Sequence, residues 1–357
     1  MSERRAFIRS GTAMTGLALL ACHRPSLSAQ QLQGQTPRIW EVGLEKNIKT
    51  IANAAKLARS GDTILVDAGT YSSDVATWQH DNVTVRAVGG RVRLLAQGAA
   101  AEGKGIWVVR AKGMKVEGFD FEGAVVASRN GAGIRLERGS LLVRDCTFMR
   151  NEMGLLTNND PSTVLEIEAS EFAYNQRPDG HNHNLYVGQI ARLTVKDSYF
   201  HHARTGHLLK SRAAVNYILN NRLTDEVGGT ASYELEFPNG GVAHVAGNLI
   251  AQSTTTDNAH LISFGAEGYK WPRNEIDLDN NILVNPLTNS GVFLKVAPGV
   301  DIIRATNNRL VGFGSLETAG AGHYRNNMRV DLSDLSKVWV GTKHNHLPLS
   351  EPLKPLF

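Results

Sequence analysis

The sequence predicts an all-β chain wound into a single parallel β-helix, a solenoid of stacked coils, and three observations carry that prediction. The first is a phrase that keeps returning: a strand-type residue, two spacers, a small polar residue, one spacer, an apolar residue. It reads Val143-Arg144-Asp145-Cys146-Thr147-Phe148, then Ile167…Ser170…Phe172, Val195…Ser198…Phe200 and Ile218…Asn221…Leu223. It continues as Val245…Asn248…Ile250, Leu278…Asn281…Leu283 and Ala305…Asn308…Leu310, and ends at Asn326-Asn327. The second is its spacing: the polar position advances by 24, 28, 23, 27, 33, 27 and 19 residues. A unit of that size buries its apolar face only by stacking on its neighbours. The third is that the apolar runs are short and alternate with period two, which marks strands. Each polar residue is then expected at one repeated bend, in a left-handed backbone, bonded to its counterpart one coil on.

Taken in order, the chain opens on Arg4-Arg5-Ala6-Phe7-Ile8-Arg9 followed by an apolar run from Thr12 to Cys22. A charged stretch before a short apolar run is an export signal, and the paired arginines resemble the twin-arginine type. Residues 1–29 are expected to be that signal. Two cleavage patterns compete, a lipoprotein box ending at Cys22 and a small-residue site at Ser26-Leu27-Ser28-Ala29, with the soluble product preferred. The expected location is periplasmic or secreted. Next, Ile48, Ile51, Ala52, Ala55 and Ala58 have helical spacing, so residues 48–59 are read as a helix.

That helix, followed by Gly61-Asp62-Thr63-Ile64-Leu65-Val66-Asp67-Ala68-Gly69-Thr70-Tyr71, resembles the opening of the pectate-lyase-like right-handed β-helix proteins. The resemblance implies a right-handed coil over residues 36–330, with the helix capping the first coil, whose edge would otherwise expose unpaired N–H and C=O groups. After Asn327 the pattern fades. Pro348, Pro352 and Pro355 exclude central strands, and residues 331–357 are expected to cap the last coil. At ~4.8 Å per stacked strand, about eleven coils would make a rod on the order of 50 Å long.

Size and charge agree with one domain. The 357 residues carry a formal net charge of +4. Arg4, Arg5, Arg9 and Arg24 against Glu3 put most of it in the signal, so the remainder gives no basis for nucleic-acid binding. Removing the signal also removes one of the 2 cysteines. Cys146 is left as a lone core thiol with no disulfide partner. No other stretch is apolar enough to span a membrane, and a monomer is expected.

Function on such a rod needs polar columns on one face. Each coil has a further strand after its polar position: His183-Asn184-Leu185-Tyr186-Val187, His207-Leu208-Leu209-Lys210-Ser211-Arg212, Tyr233-Glu234-Leu235-Glu236-Phe237 and His260-Leu261-Ile262-Ser263-Phe264. Placing Leu185, Leu209, Leu235 and Ile262 inside makes Tyr186, Lys210, Glu236 and Ser263 an outward column. Asn184 and Glu234 are then expected on one side of it and Arg212 on the other. The opposite register would bury Lys210, Arg212, Glu234 and Glu236 together, at the cost of unpaired charge.

A shallow groove on a rod suits an extended polymer. β-Elimination of a uronate needs a cation to neutralise the carboxylate, a base near the C5 proton and a donor for the leaving oxygen. Arg212 offers a planar fork for a carboxylate. Lys210 or Tyr186 is the candidate base, and His183 a base or acid. Asn184, His207, Glu236 and Asn239 are candidate substrate contacts. Glu234 and Glu236 are candidate Ca²⁺ ligands. The phrase Lys210-Ser211…Asn216…Asn220-Asn221 resembles the Lys-Ser segment of the alginate and dermatan lyases of this superfamily. That resemblance implies a Glu-x-Glu pair for Ca²⁺, matched here by Glu234-Leu235-Glu236, which follows the Lys-Ser by one coil instead of preceding it. The expected activity is therefore a lyase, or a related C5 epimerase, on an acidic polysaccharide. Two other readings stay open: a non-catalytic rod binding glycan or a partner, and a glycoside hydrolase, for which only Glu234 and Glu236 are close, about 7 Å apart on one strand, with no acidic partner on a neighbouring coil. A surface ion-pair ladder, Lys210 against Glu236, is the plain structural account of the same charges.

Overall fold

The computed structural model describes residues 36–177, 179–180 and 182–335. The signal at 1–29, with Cys22, and most of the tail lie outside the described residues. The chain winds as a right-handed parallel β-solenoid of about 10 turns, against the eleven expected. Each full coil contributes three strands, two to a bent 21-stranded sheet and one to a nine-stranded sheet.

The repeated phrase sets the register of the larger sheet. Val143 pairs with Ile167, Ile167 with Val195, Val195 with Ile218, Ile218 with Val245, Val245 with Leu278 and Leu278 with Ala305. Beyond the bend, Phe148 pairs with Phe172 and Phe172 with Phe200. These residues face the interior and are almost fully buried. The rings of Phe121, Phe148, Phe172 and Phe200 stack nearly parallel, with centroids 4.9, 4.5 and 4.7 Å apart. The coil spacing itself, close to van der Waals contact between rings, produces that stack.

At the bend lies the expected polar ladder. The backbone N–H of each member donates to the side-chain oxygen of the next: Cys146 to Ser170, Ser170 to Ser198 and Ser198 to Asn221. The ladder continues from Asn221 through Asn248, Asn281 and Asn308 to Asn327. The asparagine Nδ2 groups add a second bond to the same neighbour, at 3.0 Å from Asn221, Asn248 and Asn281 and 2.9 Å from Asn308. Each also donates to a carbonyl of the preceding coil, as Asn281 does to Val245 at 2.8 Å. One detail differs from expectation. The left-handed residue is not the ladder residue but the one before it: Asp145, Ala169, Asp197, Asn220, Asn280, Asn307 and Asn326 have φ between 45° and 57°. The bend is thus made at one position, and the next side chain is swung inward to bond. Cys146 is buried and unbridged, and burial pushes its thiol up to about 12, as expected of an inert core group.

The predicted helix is present but shorter, Ile51–Leu57. Thr50 caps it, accepting the Asn53 N–H at 3.2 Å, and the Asp74 carboxylate accepts the N–H groups of Ile51 and Ala52 at 2.6 and 2.8 Å. Those caps fix its start after Ile48, which forms a parallel bridge with Val42 instead. The helix packs against Ile39–Val42 and Ala76–Trp78, and the latter is the first strand of the nine-stranded sheet. Among the described residues no helix is long and apolar enough to cross a membrane.

Candidate active site

The nine-stranded sheet carries the candidate column in the expected register. Leu185, Leu209, Leu235 and Ile262 pair in sequence and are fully buried, while Tyr186, Lys210, Glu236 and Ser263 pair beside them. Leu156 and Arg135 precede Tyr186 in the same column, and Lys295 follows Ser263.

Around this column the charges form one connected group. The Lys210 ammonium lies 2.8 Å from Glu236 and 3.0 Å from Glu267. Arg212 donates through one nitrogen, Nη2, to both oxygens of Glu267, at 2.8 and 2.6 Å. Its other arm donates to the Tyr186 phenol oxygen at 2.6 Å, with the guanidinium 5.0 Å from the ring centroid. His207 Nε2 lies 2.9 Å from Glu236. His183 Nδ1 accepts the His207 N–H at 2.9 Å, and its ring lies 4.6 Å from that of His207 and 5.3 Å from that of Tyr186. Tyr186, Lys210, Arg212, His183, His207 and Glu236 are therefore brought together.

Burial pushes the Glu236 carboxyl up, but His207 and Lys210 outweigh it and hold the group below its usual range. For Glu267 burial is likewise outweighed, here by the hydrogen bonds from Arg212 and Lys210. Tyr233, whose ring meets His207 edge-on at 5.1 Å, is raised by burial and by Glu236.

Three predicted site residues lie elsewhere. Glu234 is fully buried inside the coil, with no partner for either carboxyl oxygen, so it does not pair with Glu236 around a cation. Burial first, and Asp225 second, push its pKa well above the usual carboxylate range. Asn184 is also interior. Its Oδ1 accepts from Asn175 at 2.9 Å, and Asn175 accepts in turn from Asn151 at 3.0 Å, a second short ladder. The reason is shared: the chain curves inward where these strands begin, so two successive residues face the core, as Leu208-Leu209 and Leu261-Ile262 do. Asn239 is 4% exposed and holds a loop, its Nδ2 donating to Gly268 O at 3.3 Å. Among the described residues no group of three His, Cys, Asp or Glu side chains could hold a metal ion. His181, which by its i, i+2 spacing from His183 could form a metal-binding set with His207 in the sequence, lies outside the described residues.

The residue that sequence reasoning missed is Glu267. It stands on the segment 265–273, which leaves the strand His260–Phe264 and lies back across two coils. Trp271 Nε1 donates to Arg212 O at 3.1 Å and the Tyr269 hydroxyl to Ala297 O at 2.6 Å. The Pro238-Asn239-Gly240-Gly241 break makes room for it: a Cβ on Gly240, at φ 71°, would come within 2.4 Å of the Tyr269 ring. The one available signal was the 33-residue step from Asn248 to Asn281, the longest in the polar column.

Comparison of the sequence with protein-family models and with curated proteins finds no match. Solved structures similar in fold include the pectate lyase Pel9A, at 12% identity over 83% of this chain and 78% of that one, with a TM-score of 0.48. They also include the deglycosylated pectin methylesterase from Aspergillus niger, at 11% identity over 83% and 87% of the two chains, with a TM-score of 0.38. A third is the pectin methylesterase PemA from Erwinia chrysanthemi, at 9% identity over 90% and 99%, with a TM-score of 0.36. Likeness at this level says nothing about chemistry. The fold that the opening helix and Gly-Thr-Tyr segment led one to expect, a right-handed parallel β-helix, is the fold this chain adopts.

Proposed function

We propose that this chain acts on an acidic, uronate-containing polysaccharide and cleaves it by β-elimination at the Tyr186–Lys210–Arg212 cluster. The observation that carries the reading is the 2.6 Å hydrogen bond from the Arg212 guanidinium to the Tyr186 phenol oxygen. That bond fixes the phenol oxygen beside the guanidinium that would meet the substrate carboxylate, so Tyr186 is assigned as the base of the site. The Lys210 side chain lies 2.8 Å from Glu236 and 3.0 Å from Glu267, and its part in the assignment is to pair with a carboxylate. His183, whose Nδ1 accepts the His207 N–H and whose ring lies 5.3 Å from that of Tyr186, is assigned to contact the sugar.

In the step, the substrate carboxylate meets Arg212 and Lys210, and the C5 proton passes to the Tyr186 oxygen. The C5–H electron pair forms the C4–C5 double bond as the C4–O bond breaks, and Tyr186 returns its proton to the leaving oxygen. No metal takes part in this assignment. Residues 1–29 direct the protein out of the cytoplasm, where such polymers are found.

Hydrolysis is the weaker enzymatic reading despite the second carboxylate that Glu267 brings near Glu236. A hydrolase needs one of its pair protonated, and both groups here are held below their usual range. A non-catalytic glycan-binding rod is the second reading, favoured by the pairing of Lys210 and Arg212 with carboxylates. The experiment is to compare Tyr186→Phe and Arg212→Ala with the parent on a panel of uronate polymers. Loss of the base or of the cation is expected to lower the rate by roughly 10²-fold or more while thermal melts stay cooperative. Parent-like cleavage by both variants would place the chemistry elsewhere, and a parent that binds but cleaves none would favour the binding rod.

A further inference from the structure

Glu267 meets Arg212 as a free carboxylate would. Its two oxygens accept from one guanidinium nitrogen, Nη2, at 2.8 and 2.6 Å, and one of them also lies 3.0 Å from Lys210. The side chains of Lys210 and Arg212 are only 11% and 14% exposed, whereas that of Glu267 is 44% exposed. Glu267 therefore stands between the two cations and the solvent. It is carried at the tip of a tight turn, Gly268 N–H donating to Gly265 O at 2.9 Å, with both glycines left-handed at φ 82° and 81°. The segment behind it is tied down by polar contacts, Trp271 to Arg212 O, Asn239 to Gly268 O and Lys270 N–H to Asn239 O.

Resting on the function proposed above, we infer that Glu267 is an internal stand-in for the substrate carboxylate, and that segment 265–273 is a strap the substrate displaces. The exchange is one carboxylate for another. Arg212 is largely buried, so stripping away its partner without replacement leaves a desolvated charge, a change that costs far more than an exposed ion pair is worth. A uronate restores a carboxylate against Arg212 and Lys210 and releases Glu267 to water, where its side chain is already 44% exposed. A neutral sugar cannot make that exchange, so the same strap that lowers affinity for every ligand selects for acidic ones. Because only strap-open molecules bind, the measured dissociation constant is the intrinsic one divided by the open fraction.

The test is calorimetric titration of trimers of galacturonate and of mannuronate into the parent and into Glu267→Gln, with Glu267→Gln/Arg212→Ala as control. Glu267→Gln is expected to bind one of the trimers at least 10-fold more tightly than the parent, and the control to lose that gain. Trp271→Ala keeps all the charges and loosens only the strap, and is expected to tighten binding in the same direction. Equal or weaker binding by Glu267→Gln, with the parent binding normally, overturns the strap and leaves the acidic-polysaccharide reading intact. Binding of neither trimer by any of the proteins overturns both.

Discussion

Replacing Glu234 by Gln should stabilise this protein increasingly as pH rises. Glu234 sits inside the coil with 0% exposure and no partner for either oxygen. Its buried neighbour Asp225 accepts the N–H groups of Ala203 and Ala231 at 2.9 and 2.6 Å. Burial, then the field of Asp225, raises the Glu234 pKa well above the ordinary carboxylate value. The folded chain therefore holds a proton on Glu234 at pH values where the unfolded chain has released it. For such a group the stability contribution is complete below the unfolded pKa, about 4.3 for Glu, and declines as pH rises toward the folded pKa. The decline is about 1.4 kcal/mol per pH unit for one proton. Gln does not titrate, so the difference in unfolding free energy between Glu234→Gln and the parent should grow in favour of the variant by that slope between the unfolded and the folded pKa of Glu234. Asp225, also raised chiefly by burial, keeps some pH dependence in both proteins, which is why the comparison and not the parent alone is informative. Urea unfolding at pH 5, 6 and 7 measures the slope. Parallel curves for the two proteins, or a variant that loses ground as pH rises, would mean that Glu234 is ionised in the folded state, and the reasoning from its burial would fail.

Other expectations follow from the same contacts. Asn281→Ala removes a ladder member bonded to Asn248, Asn308 and Val245 and should cost ~1–3 kcal/mol through the groups left unpaired; an unchanged melting temperature would mean that the ladder contributes nothing. Lys210→Ala should leave the coil folded, yet strip Glu236 and Glu267 of a shared cation and slow catalysis by roughly 10²-fold, read as kcat on whichever polymer the parent cleaves. Arg4→Lys/Arg5→Lys should strand the protein in the cytoplasm as full-length chain, and cell fractionation with an unchanged distribution would count against export.

Much of the coil was legible because its period is written in side chains that bond to one another. The column from Cys146 to Asn327 and the strand pairs from Val143 to Ala305 could be aligned by the polar residue alone, and the inward set Leu185, Leu209, Leu235 and Ile262 followed from alternation. Alternation also misplaced Asn184 and Glu234. A strict period of two has no way to express an inward curve that buries two successive residues, and the hydrophobic pairs Leu208-Leu209 and Leu261-Ile262 were the only hint of one. The left-handed position was misread by a single residue, since both members of Asn220-Asn221 and Asn307-Asn308 suit a bend and only the backbone decides between them. Glu267 was beyond reach for a different reason: it meets Lys210 across 57 residues of chain, through a loop whose path is set by Tyr269, Trp271 and the glycine break rather than by any repeat.

The most direct measurement is the ultraviolet absorbance of uronate polymers incubated with the parent protein and, in parallel, with Tyr186→Phe. β-Elimination leaves a double bond conjugated to the sugar carboxylate, which hydrolysis and simple binding do not. The account predicts that absorbance rises with time for the parent on at least one polymer and stays flat for Tyr186→Phe. Chain shortening without any rise, or an equal rise for both proteins, would contradict it.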